Sequence, residues 1–486
     1  MEKKRKGLLA GQLTMMALGT VIGGSFFLGS SVAIHAAGPS ILISYILGGI
    51  LVYFILFALS EMTVANPDAG SFRTFAAQVF GPGTGFVVGW VYWTGMILAM
   101  SSEATAVSIL TRNWMPNMSI AILGSFIIIG VTLLNLLGAD KLSKLESSLA
   151  AVKLLAIVSF IILSLLLILG VVKGTPTAGA GLLNKETFAP GGIKGIAGSM
   201  LIVIFAYAGF EIIGLASSEA ENPRKTIPKA INYTVISLIG LYILSIIALL
   251  PLVPTTELSE NVSPMVAALD RNGITWAGTA INIVLITAIL STMLAAMFGL
   301  GRMIKSIAEE GHAPRFLRDK TDVPYRGILF SGFSMLAGLG LGLLLPRVYL
   351  FLISSGGFAL LFTYAAIMAT HIGFRKKNGC PPEGKCQIPL YPYTSWIGLI
   401  SLIVAMASMP FIPGQASGLI AGIVIIALYS IIYLAMKAVK RSHKDYIHDK
   451  SINKNYRTSF SAEFSKELAE IDEEEYESYK NKNYRR

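Results

Sequence analysis

Three ionisable side chains in or beside long apolar stretches are the residues best placed to do chemistry: Glu103, Lys153 and Glu211. A lysine at membrane depth costs several kcal/mol unless it is paired, hydrated or neutral. Lys153 lies about 12 Å along a helix from Leu145 at 1.5 Å per residue. Its ammonium suits proton exchange, with snorkelling towards an interface as the bland alternative. Glu103 lies about 13 Å before Arg112 on the same measure. Its carboxylate could join a proton path, draw in a cationic group, or satisfy a polar interior. Glu211 ends the run Phe205-Ala206-Tyr207-Ala208-Gly209-Phe210-Glu211, where it could meet a ligand or hydrogen-bond loosened backbone.

Those runs are themselves unusual. The first apolar stretch contains Gly19-Thr20-Val21-Ile22-Gly23-Gly24-Ser25, three glycines in six residues, at about 1 kcal/mol each relative to alanine in a helix interior. Small residues can serve close helix packing instead. Irregular backbone at membrane depth stands only where protein or a water-filled cavity satisfies it. An unwound turn frees amides that can bind a carboxylate, and carbonyls that can bind an ammonium.

The elements that must position these residues are membrane spans. Of the 486 residues, 54% are apolar and 14% charged, with mean hydropathy +0.66. A soluble chain carries nearer a quarter charged. Pro39 to Ser60 is a 22-residue run without charge, long enough to cross a bilayer. This excludes a soluble enzyme, a secreted disulfide scaffold and a disordered chain. Apolar runs predict about twelve helices, near 12–36, 39–64, 83–110, 119–139, 147–172, 195–219, 229–253, 276–307, 327–345, 348–373, 393–412 and 415–438. With the N-terminus inside, inner segments hold 32 Lys and Arg against 6 outside, or 16 against 6 without the tails. The positive-inside rule therefore places both termini in the cytoplasm. The net charge of +11 follows this asymmetry, and no basic stripe interleaved with aromatics suggests nucleic acid. Cys380 and Cys386 share one polar loop, where a lone nearby His371 argues against a metal site. Phe464, Leu468 and Ile471 fall at helical spacing in the tail, as in a short amphipathic helix or a solvated segment.

The first and sixth spans enter from opposite sides, and both are interrupted. That pairing is what an inverted-repeat transporter presents. At these residues the chain resembles the amino acid–polyamine–organocation superfamily of permeases, in its bacterial amino acid transporter branch, over about residues 8 to 440. The family's glycine-rich first-span turn is similar to Ile22-Gly23-Gly24-Ser25-Phe26-Phe27. Its sixth-span segment resembles Phe205 to Ile231, its eighth-span exit Gly301 to Pro314, its second-span end Leu59-Ser60-Glu61, and its third span Trp90 to Trp93 with Glu103. Two departures stand out. Ser25 replaces the usual second glycine, and Thr292 follows Ser291 where many relatives place asparagine.

The resemblance implies an all-α polytopic membrane protein with a five-plus-five inverted repeat of the leucine-transporter type and two added helices. The expected division is residues 1–11 cytoplasmic, 12–172 and 173–373 as the repeats, 374–438 as the extra pair, and 439–486 as a cytoplasmic tail. The backbone of Ile22, Gly23, Gly24 and Ser25 would receive a substrate carboxylate, and carbonyls of Phe205, Ala206, Tyr207 and Ala208 its α-ammonium. Glu211 would join that site, Ser291 would be a polar contact, and Phe205 a lid. The family often has a lysine seven residues after a glutamate, as Lys153 follows Glu146. Lys153 would then replace the ion of sodium-coupled relatives between the first and eighth spans, with Glu103 as a second proton-coupling candidate. The resulting expectation is a bacterial plasma-membrane importer of a neutral α-amino acid coupled to protons, lying in lipid, with no cofactor or metal and no enzymatic activity. An exchanger, a polyamine carrier and a non-transporting amino acid sensor are the rivals. A channel lacks a charged ring or continuous polar lining here, and a membrane enzyme lacks a convergent catalytic set. Glu61 and Arg302, near inner helix ends, form a weaker candidate gate pair.

Overall fold

A computed structural model describes residues 8–65, 71–137, 139–172, 179, 185–215, 220–319, 321, 323–380, 386 and 388–454. Side chains at 71, 139–148, 214–215, 223 and 440–454 are outside the description, so the Glu146 spacing and the tail helix fall beyond it. The described residues form helices and turns without a β-strand. The protein is a multi-pass, all-α membrane protein. Eight helical segments are long and apolar enough to cross a bilayer, and 120–135, 192–206 and 393–407 are shorter apolar helices.

In chain order the helices that frame the site are α1 (Ala10–Val21), α2 (Ser30–Ala37), α3 (Ile41–Ala65), α4 (Ser71–Phe80) and α5 (Pro82–Thr111). There follow α6 (Ile120–Asn135), α7 (Ala139–Ile168), α8 (Gly192–Ala206), α9 (Ile212–Leu215), α10 (Pro223–Leu249), α11 (Pro264–Arg271) and α12 (Thr275–Glu309). The last are α13 (Tyr325–Leu343), α14 (Val348–Asn378), α15 (Tyr393–Ala407) and α16 (Ala416–Lys454). Each expected span overlaps one of these helices or a broken pair. Local chemistry sets several starts. Proline occupies the first turn of α5, α10 and α11, where its missing amide donor costs nothing. Ser119 caps α6 by accepting from Ile122 N at 3.2 Å.

Residues 1–429 form one compact unit, and residues 430–486 form a second, whose described part is the end of α16. Within the first, α5 and α14 approach closely because glycines face the contact. A Cβ on Gly95 would fall 2.5 Å from that of Ala359, and one on Gly356 would fall 2.9 Å from the Ala99 amide. Small residues let the two backbones touch, so dispersion replaces the hydrophobic effect that lipid cannot supply. This contact sets Tyr92 of α5 beside Tyr364 of α14, both on Glu211, and Glu103 of α5 near Tyr349 of α14.

One sequence expectation fails at the end of α3. Glu61 is fully buried and does not meet Arg302. It accepts from His371 Nε2 at 2.8 Å and Ile388 N at 2.8 Å, with Arg375 Nε at 3.2 Å. Arg302 lies over the Phe298 ring instead. The reason is position along α14: His371 and Arg375 are four residues apart and share the face that meets Glu61. Cys380 and Cys386 form a disulfide, and Arg375 Nη1 donates to both sulfurs.

Candidate substrate and proton site

The first span breaks where the glycines predicted. α1 ends at Val21, Ile22 is extended (φ −77°, ψ 101°), and the chain resumes as a π-helical turn over Ser25–Gly29 before α2. Each end of the interruption meets a buried charge from another helix. At the carbonyl end, Lys153 Nζ of α7 donates to Gly19 O at 2.5 Å, Ile22 O at 3.2 Å and Thr292 Oγ1 at 2.9 Å. Thr292 of α12 in turn donates to Ile22 O at 3.1 Å. Lys153 is 0% exposed, so the ammonium is held in the interior and does not snorkel.

At the amide end, Gly24 N donates to Glu103 Oε2 at 2.7 Å. Glycine is required for the approach. A Cβ on Gly24 would fall 2.6 Å from Oε2, and one on Gly23 would fall 3.1 Å from Oε1. A helix of fixed dipoles presents partial positive charge at its N-terminus and partial negative charge at its C-terminus. Glu103 and Lys153 complement both ends of the broken rod.

The second interruption lies alongside. α8 ends at Ala206, Tyr207 to Glu211 form a turn, and Gly209 has φ +104°, a conformation open chiefly to glycine. Thr20 Oγ1 donates to Gly209 O at 3.3 Å, and Ser25 Oγ donates to Phe205 O at 3.4 Å, so the two breaks are stitched together. The departure at Ser25 thus adds a hydrogen bond between the breaks. Tyr242 Oη donates to Ala206 O at 2.8 Å, and Tyr207 turns its hydroxyl to Tyr45 O at 3.0 Å. Glu211 braces the turn. It accepts from Tyr92 Oη at 2.9 Å, Tyr364 Oη at 3.1 Å and Gly209 N at 3.1 Å.

An aromatic box of Phe26, Tyr45, Tyr207 and Tyr242 packs beside the breaks, with Phe26 stacked on Tyr242 at 4.0 Å between centroids. Tyr349 Oη reaches Gly24 O at 3.4 Å. The candidate residues Ile22, Ser25, Phe205, Ala206 and Tyr207 are buried, and Ala208 is partly exposed. Ser291 is buried too, but the hydroxyl on the broken helix belongs to Thr292, one residue on and about 100° round the helix. An apolar pocket lined by Pro39, Leu42, Phe188, Ile247 and Leu250, with Glu186, is built from residues outside both breaks. It carries none of the polar groups just described, and the chemistry rests with the breaks.

Sequence reasoning brought Lys153, Glu103, Glu211 and both glycine turns into view. It missed Thr292 as the bridging hydroxyl, although the Ser291-Thr292 pair marked the spot. It also missed Tyr92, Tyr242, Tyr349 and Tyr364, aromatic residues in spans whose polar tips demand partners once buried.

A helical bundle with broken spans and ionisable groups seated on the interruption defines a polytopic membrane transporter. A sequence profile of the family described as amino acid permease matches residues 12–449, and the chain belongs to that family. It is 33% identical to the amino acid permease YtnA of Bacillus subtilis (strain 168), over 91% of this chain and 96% of that one. It is 31% identical to the gamma-aminobutyric acid permease of the same organism, over 90% and 95%. To the aromatic amino acid transport protein AroP of Escherichia coli O157:H7 it is 32% identical, over 85% and 92%. These proteins are permeases, and their names differ in substrate.

Proposed function

We propose that this protein is a secondary active transporter that imports an α-amino acid together with protons by alternating access. The main support is the buried Lys153 ammonium, which sits on the carbonyl end of the first break and ties it to Thr292 of α12. A titratable cation bridging two helices at membrane depth changes their mutual hold when it gains or loses its proton. The repeats are residues 12–172 and 173–373, of opposite orientation, with residues 374–438 added and both termini cytoplasmic. The amides from Ile22 to Ser25 receive the substrate carboxylate, the carbonyls around Phe205 to Ala208 receive its ammonium, and Phe205 closes over it. A neutral side chain is favoured because the breaks carry no anion clamp for a second acidic group.

Purified protein in liposomes tests this. Uptake of each labelled amino acid, competed by all twenty, is measured with and without an inward proton gradient. Gradient-dependent accumulation of one or a few neutral amino acids supports the reading. Uptake equal in both conditions but dependent on internal substrate defines an exchanger instead, and binding without any transport defines a sensor.

A further inference from the structure

The amides that would hold a substrate carboxylate already hold one, from the protein itself. Gly24 N donates to Glu103 Oε2 at 2.7 Å, and Glu103 is 4% exposed and rises from a different helix. The fit leaves no room for a second carboxylate, since even one added carbon at Gly24 would fall 2.6 Å from Glu103 Oε2. Among the described residues, the positive side chain that acts on Glu103 electrostatically is Lys153 of α7, across the break; the ionisable groups facing it from the other helices are Tyr242 of α10 and Tyr349 of α14. A second observation marks the same chamber as a ligand site. The Tyr45 hydroxyl is fully buried against the rings of Phe26 and Tyr242 and has no hydrogen-bond partner among the described residues. Buried polar atoms are nearly always paired, so an orphaned hydroxyl signals a further polar group that enters there.

We propose that Glu103 occupies the seat of the substrate carboxylate in the closed protein, and that substrate and proton are coupled because the two carboxylates exclude each other from the Gly24 amide end of the break. This deepens the transport reading above and rests on it. The cycle balances in protons and charge. A proton from the outer solution binds the Glu103 carboxylate and neutralises it. A neutral acid accepts hydrogen bonds from amides more weakly than its anion does, so Glu103 yields them and the substrate carboxylate takes its place. After the substrate leaves inwards, Glu103 gives the proton to the inner solution and returns to the amides as an anion. One proton is carried for each substrate carboxylate, and the charge on the seat is one negative throughout. Lys153 keeps the carbonyl end of the same break.

Glu103→Gln retains an acceptor for the amides but cannot become an anion. The probe is a labelled mixture of the twenty amino acids, applied to proteoliposomes and, by equilibrium dialysis, to detergent-solubilised protein from pH 5.5 to 8.5. The wild type should bind more weakly as pH rises, approaching tenfold per pH unit once Glu103 is ionised, and should accumulate label under an inward proton gradient. Glu103→Gln should bind with no pH dependence and lose accumulation, yet retain exchange of internal for external label. Glu103→Asp, whose carboxylate is drawn back from the amides by one methylene, should bind the mixture more tightly than wild type at pH 8.5 and stay coupled.

If Glu103→Gln still accumulates label as wild type does, or its binding keeps the wild-type pH dependence, the proposal is wrong. Loss of both exchange and binding in Glu103→Gln, with Glu103→Asp no tighter than wild type at pH 8.5, would make Glu103 structural and also overturn it. Absence of any wild-type transport would overturn the underlying transport reading instead, and so is told apart from a failure at Glu103.

Discussion

Replacing Lys153 with alanine is the perturbation whose consequences the geometry specifies most fully. The acceptors of the ammonium include Gly19 O, Ile22 O and Thr292 Oγ1. They are not equally dependent on it. Ile22 O keeps the Thr292 hydroxyl at 3.1 Å, and Thr292 keeps Ala288 O at 3.2 Å, whereas Gly19 O loses a charged donor. One stripped buried carbonyl costs about 1–3 kcal/mol, and the emptied volume adds to it. Against this, removing the lysine also removes the desolvation cost of a buried charge. The fold should therefore survive with a net loss of about 1–3 kcal/mol or less. Coupling should not survive. A pH unit is worth about 1.36 kcal/mol per proton, so with one proton per cycle a gradient of about 2 units supports roughly 100-fold accumulation. Lys153→Ala should bring that ratio to about one while leaving counterflow measurable, because the carbonyl end of the break loses the cation that ties it to Thr292 opposite Glu103. Liposomes loaded at fixed internal pH and sampled to steady state give the ratio directly. A Lys153→Ala protein that still accumulates substrate roughly 100-fold under this gradient would refute the assignment.

Other positions give independent checks. Thr292→Val keeps the shape but removes the donor to Ile22 O and an acceptor of Lys153. A loss of about 1–2 kcal/mol is expected, read as a roughly five- to thirtyfold fall in uptake at fixed gradient, and unchanged uptake would show that the bridge is idle. Gly209→Ala meets both a φ of +104° and the Thr20 carbonyl oxygen at 3.0 Å from its new Cβ. It should lower the unfolding midpoint by an amount equivalent to about 1–3 kcal/mol, a shift absent if the turn relaxes freely. Arg73 of α4, 5% exposed, pairs with Glu310 and reaches Ser306 Oγ at 3.2 Å. Glu310 is partly exposed, so Arg73→Ala should release about 1 kcal/mol, and amide exchange over residues 306–312 should quicken about fivefold. Exchange at the wild-type rate would rule out a latch there.

The sequence disclosed the breaks because their cause is local. Glycine at 19, 23 and 24 and at 209 weakens a helix by itself, and the four spans expected between the two breaks make the sixth run opposite to the first in that reading. Lys153 was visible for a related reason, as a lone charge with few ways to stand at that depth. The partners were hidden because they are set by rotation between helices far apart in the chain. Nothing near Glu103 names Gly24, and nothing near Glu61 names His371, 310 residues away. Thr292 differs from Ser291 only by a step round the helix, and that phase is decided by which face of α12 meets α1. The Cys380–Cys386 pairing was equally closed to spacing alone, since a short loop permits a disulfide without requiring one.

The two breaks are held by different chemistry, and that difference says which of them moves. The first is gripped by two full charges, Lys153 from α7 and Glu103 from α5, each seated on one end. Any proton or ligand that takes either end releases the helix opposite, so binding free energy is converted directly into a change of helix contacts. The second is braced by tyrosine hydroxyls from α5, α10 and α14 and by Glu211 within its own turn. No external cation or anion competes for those hydroxyl contacts as directly. The tyrosine braces should therefore hold the backbone of residues 207–211 in place through the cycle, while the first break and the Phe205 side chain move. Hydrogen exchange measured with and without the amino acid mixture should change strongly over residues 19–25 and little over residues 206–211. Equal changes in the two segments would mean that both breaks rearrange together, and the asymmetry of their braces would then have no mechanical role.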